Sequence, residues 1–144
     1  MHFNIKVLTI FNSLLTIGVL AIIIILLFAL TIISDKQLAT INNYLQGEII
    51  LLSLIAIAIF ILSVVDPNIS LTSLAVYLLL SSIASFIIAG ILIIPFNMLK
   101  LEILKTKKDF SNSSNLILAS IILTFIIAFI LLIQSSIIFY HIKH

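Results

Sequence analysis

The chain has no cysteine, no arginine and no tryptophan, and only 8% of its 144 residues are charged. Each absence excludes something. Without cysteine there is no disulfide framework, no thiolate zinc site and no iron–sulfur cluster. A formal net charge of +2, with no basic helix face, gives nucleic acid nothing to bind. An ordinary soluble domain has about 25% charged residues. Here 63% of residues are hydrophobic and mean hydropathy is +1.45, so lipid is the expected solvent for most of the surface.

What charge there is collects in one place. Lys100 to Asp109 holds Lys100, Lys105, Lys107 and Lys108, together with Glu102 and Asp109. A lysine-rich island between two apolar runs reads as a membrane loop that sets topology.

Four apolar runs follow from the pattern: 7–33, 49–65, 71–99 and 116–140. The first carries no charge over 27 residues, longer than the roughly 7–15 apolar residues of a secretory leader. It is expected to stay as a transmembrane helix. The second run opens just after Glu48 and, at 17 residues, is near the low end of the spanning range. In 34–47, Ser34 and Gln37 have capping-box spacing. Leu38, Ile41, Tyr44 and Leu45 recur at helical spacing, and Gly47 suits a helix end. The segment reads as a loop, either irregular or holding a short surface helix. Asp66-Pro67-Asn68 predicts a tight turn. Pro95 predicts a kink or stop near the end of the third helix, after which the helix can resume through the lysine-rich stretch, and 110–115 a polar turn.

The fold class expected is all-α: one transmembrane domain over 1–144, a four-helix bundle of two antiparallel hairpins. Four spans put both termini on one side. Lys36 and the four lysines of the island lie on the other, against Lys6 and Lys143. The positive-inside rule then puts loops 34–47 and 100–115 in the cytoplasm and the termini outside. The sequon Asn68-Ile69-Ser70 falls on the outer face by this reading and Asn112-Ser113-Ser114 on the inner. The two halves share a plan of helix, charged loop, helix, without a residue-level match.

With these boundaries no Asp, Glu, Lys, Arg or His lies inside a span. Such groups mark proton relays, ion paths and intramembrane catalysis, so no catalytic residue, cofactor or metal is expected. His141 and His144 share a helix face, with His2 on the same side. Placement in the headgroup layer is the stronger reading for all three, ahead of a metal site.

Polar side chains within the spans gather toward the terminal side, on the order of 10 Å in: Asn12, Thr16, Ser63, Tyr77, Gln134 and Ser135. Interhelical hydrogen bonding is the expected role, with a small outward-facing pocket as the sharper alternative. Small residues recur every fourth position at Ser81, Ser85 and Ala89, and at Ser120, Thr124 and Ala128. The two sets predict close packing between the third and fourth helices.

These features suggest a non-catalytic integral subunit of a larger membrane assembly, with lipid and other membrane chains, or copies of itself, as partners. The alternatives are a small homo-oligomeric transporter or pore of the holin kind, and a viral envelope membrane protein.

Overall fold

The computed structural model describes residues 5–32, 39–64, 70–106 and 111–143. They form four α-helices: α1, Ile5–Ile32; α2, Ala39–Ser63; α3, Leu71–Thr106; and α4, Ser111–Lys143. All four are long and apolar enough to cross a membrane.

The buried side chains follow one rule. In α1 they are Leu8, Asn12, Leu15, Val19, Ile22, Leu26 and Ala29. In α2 they include Ile41, Leu45, Glu48, Leu52, Ile55, Ile59 and Leu62. Steps of four and three alternate along both, an average of 3.5 residues. That period keeps one face of a helix turned toward its neighbours over many turns. The same spacing runs through α3 as Leu74, Leu78, Ser81, Ser85, Ile88, Leu92 and Leu99, and through α4 as Ile117, Ser120, Thr124, Ile127, Leu131, Gln134 and Ile138.

The helices close a ring in which α1 touches α2 and α4, and α3 touches α2 and α4. The contact between α3 and α4 is the most extensive and that between α2 and α3 the slightest. Ala75 of α3 meets Ser135 of α4, and Ser82 meets Ala128. Numbers therefore rise along α3 as they fall along α4. Phe86 packs edge-on to Phe129 and at a tilt to Phe125, with ring centroids 5.0 and 6.0 Å apart, each geometry favourable for aromatic pairs. Between α1 and α4, a Cβ placed on Gly18 would lie 3.8 Å from Ile127 Cδ1.

Three boundaries differ from those the sequence suggests. The largest difference is in α2, which starts at Ala39 and runs without a break through Gly47 and Glu48. The apolar spacing of Ile41 and Leu45 continues in register into Leu52, and packing of that face overrides the low helix propensity of one glycine. Gly47 is thus helical, not a helix end. The second is the end of α3: the helix does not stop at Pro95, which is buried within it, and continues past residue 99 through part of the lysine-rich stretch to Thr106. The third is at the start of α4. Residues 111–115, expected as a turn, are its first turn. The expected capping box at Ser34 and the turn at Asp66-Pro67 lie outside the described residues.

Candidate functional site

Polar side chains on a buried seam must find partners or bear the cost of desolvation. The six terminal-side residues divide by how they do so. Ser135 Oγ donates to the Ala75 carbonyl at 2.8 Å, and Tyr77 Oη donates to the Ala58 carbonyl at 2.9 Å. These two bonds cross between helices. Thr16 and Ser63 instead donate within their own helices, to Asn12 and Phe60. Asn12 and Gln134 do neither. Both are buried, and neither end of either amide has a hydrogen-bond partner.

The small residues Ser81, Ser85, Ala89, Ser120, Thr124 and Ala128 are all buried. Ser85, Ser120 and Thr124 donate to the carbonyl four residues earlier in their own helix, which satisfies the hydroxyl at little cost. The cross-helix bond in this region comes from Ser82, which donates to the Ala128 carbonyl at 2.8 Å. Ser82 stands one residue off the four-residue pattern, so spacing alone passes over it.

Of the lysines expected to set topology, Lys100 is exposed, and its Nζ lies 5.6 Å from the centre of the Phe96 ring, a cation–π distance. Lys105 belongs to α3, while Lys107 and Lys108 lie outside the described residues.

The residue that sequence reasoning missed is Glu48. The apolar pattern puts it at the edge of a span. It instead sits nine residues into α2, about 14 Å along the axis. It is only 1% exposed, and neither carboxylate oxygen has a partner. A signal was available: continuing the four-three spacing from Ile41 and Leu45 lands on residue 48. Apolar patterning hid it because the charge looked like the boundary of the greasy run.

Glu48 lines an open groove of about 510 Å³ with Thr40, Asn43, Tyr44, Gly47 and Leu51 of α2 and Ile91 of α3. Leu51 and Ile91 also line a second, wholly apolar groove of about 330 Å³ between α2 and α3, which includes Leu54, Ala84 and Ile87. The two grooves share Leu51 and Ile91 along the slightest seam of the ring, and both present mainly apolar atoms, the carboxylate oxygens of Glu48 being buried. No group of three or more histidine, aspartate or glutamate side chains suited to a metal occurs among the described residues.

Comparison of the chain with protein-family models, with curated proteins and with solved structures finds no match.

Proposed function

We propose that this chain is a multi-pass membrane protein of two antiparallel hairpins that serves as a non-catalytic subunit of a larger membrane-embedded assembly. The observation that carries the reading is the outer face of α1, the least buried of the four helices. Val7, Ile10, Leu14, Ile17, Ile24 and Phe28 are all exposed there. They keep the three-four spacing that the inner seams use, and a second seam of this kind suits a helix from another chain. The opposed numbering of α3 and α4 supports the hairpin arrangement. The lysine distribution supports cytoplasmic loops and outside termini.

Native mass spectrometry after extraction from the source membrane in mild detergent tests this. Release with other membrane chains in fixed ratio is the expected result. Release of the chain alone, or only with copies of itself, overturns the subunit reading.

Glu48 favours a second reading, a small homo-oligomeric transporter. A carboxylate on the inner face of an apolar bundle is the kind of group that ion and proton paths use. Flux into liposomes containing only this protein, abolished by Glu48→Gln, would establish it in place of the first.

A further inference from the structure

The open recess along the α2–α3 seam has a shape, a chemistry and a depth that together select one kind of occupant. Its α2 wall runs from Thr40 to Ile55, and its α3 wall from Ile91 back to Ala84. Two small residues keep it open. A Cβ added to Gly47 would meet nothing within 4 Å, and Ala84 brings only a methyl group to the other end. The two grooves that make up the recess, about 510 and 330 Å³, fall in the range of small-molecule sites, roughly 300–1,000 Å³.

The chemistry is that of hydrocarbon. Leu51, Leu54, Ile87 and Ile91 line the recess, and Glu48 offers it no oxygen, because both carboxylate oxygens are buried. Such walls give a charged or hydrogen-bonding group nothing in return for its lost water. The exposed residues next along the two helices, Ile57 and Ile83, are apolar as well. In an inserted bundle the recess therefore opens onto lipid. Left empty, its walls would lack van der Waals partners.

Depth narrows the choice. About 20 residues at 1.5 Å each cross the hydrocarbon layer. Counting back that far from Ser63, the end of α2, reaches Tyr44, and tyrosine favours such a boundary. Leu54 stands ten residues beyond Tyr44, about 15 Å along the axis, which is half of the layer. The recess thus covers one leaflet, from the headgroup boundary to the midplane, and runs along the helices as a lipid chain does. A helix would not fill it. With side chains a helix is about 10–12 Å across, whereas the axes of packed helices lie about 8–10 Å apart. A further helix could lie over the seam, but a single hydrocarbon chain can enter it.

We propose that this recess holds one acyl chain of a phospholipid from the leaflet nearest the start of α2. The glycerol end is level with Tyr44, and the chain passes over Gly47 and lies along Leu51 and Ile87 toward Leu54 and Ala84. Lipid surrounds the chain before it binds, so the gain comes from closer packing in the recess and not from leaving water. The proposal rests on membrane insertion but not on the subunit reading.

The test uses the purified full chain. In an octyl polyoxyethylene detergent it is titrated with dioleoylphosphatidylcholine and followed by native mass spectrometry. The first lipid is expected to bind at least about tenfold tighter than the second. Gly47→Leu and Ala84→Leu fill opposite ends of the recess, and each should remove that preference. Ile17→Leu, on the outer face of α1, should keep it. In liposomes, a phosphatidylcholine with a photoactivatable diazirine in its chain should label Leu51, Leu54 and Ile87 at least about threefold more than Ile17 and Ile24 of α1. Equal binding of the first and second lipids overturns the site. So does a preference kept within about twofold in a folded filling variant. If neither filling variant folds, the labelling pattern decides. Label spread evenly over α1 and the recess overturns the site and leaves insertion standing, whereas no label on either overturns insertion and the site with it. A dimer free of bound lipid also overturns the site, since a second copy then covers the recess.

Discussion

Ser135 of α4 donates its hydroxyl to the backbone carbonyl of Ala75 in α3, and Ser82 of α3 returns a bond of the same 2.8 Å length to Ala128 of α4. The exchange joins the two helices at two levels, seven residues apart on each. Interhelical bonds of this kind contribute on average about 0.6 kcal/mol each in membrane bundles. Ser82→Ala with Ser135→Ala should therefore lower stability by about 1 kcal/mol, measured by unfolding in mixed micelles. Ser85→Ala is the control, since its bond stays inside α3, and it should change stability by less than about 0.5 kcal/mol. Equal losses from control and pair would refute the assignment.

Asn12 and Gln134 predict the opposite sign. Their amides are buried on the inner seams with no partner. Removing a polar group that makes no bond relieves desolvation, and Leu has a similar volume to either side chain. Asn12→Leu and Gln134→Leu should each raise the thermal midpoint in detergent, by the equivalent of about 1 kcal/mol or more. A fall in either variant would mean that the amide is bonded in the membrane and holds helices together.

Much of the fold was legible because the apolar runs are long. Four runs gave four helices, and α1 differs from the expected 7–33 only at its ends. Which face turns inward was harder to read. In lipid the outer face is as apolar as the core, so Ile22 and Ile24 look alike in sequence although one is buried and the other half exposed. Polar residues are what reveal the inner face, as at Asn12, Ser85 and Gln134. The same logic failed at Glu48. A charge reads as the end of a span, whereas the packing period of Ile41 and Leu45 carries Glu48 inside. Ser82 escaped because a four-residue pattern tracks one side of a seam that is two residues wide.

Glu48 makes a further prediction about stability, independent of any ligand. A buried carboxylate with neither an ion pair nor a hydrogen bond costs more than an apolar side chain in the same place. Glu48→Leu should raise stability in neutral detergent by about 1–3 kcal/mol. Unfolding curves for the purified protein give the answer. A loss of stability would show that Glu48 is paired in the folded protein.

The absence of cysteine makes the α3–α4 register directly measurable, because every thiol is then an introduced one. Cysteines at 82 and 128, or at 75 and 135, should form a bridge under mild oxidation, since their backbones approach closely enough for a side chain to reach the opposite carbonyl. A pair at 82 and 135 lies about 10 Å out of register along the axis and should not. Bridging of the mismatched pair at a comparable rate would show that α3 and α4 slide past one another.

Orientation in the membrane rests on a small charge difference, so it needs its own test. Lys36, Lys100, Lys105, Lys107 and Lys108 stand against Lys6 and Lys143. Basic residues near span ends resist translocation, so the lysine-rich side should remain cytoplasmic. Single cysteines replacing His144 and Lys107 in intact cells should separate. A membrane-impermeant maleimide is expected to label position 144 from outside and to reach position 107 only after permeabilisation. The reverse pattern would invert the topology and put Thr40, near the start of α2, on the outer face. Labelling of both positions from outside would mean that the number of crossings is not four. Replacing Lys105, Lys107 and Lys108 together by glutamine should produce a mixed population, because only Lys36 and Lys100 would then oppose the two lysines of the terminal side.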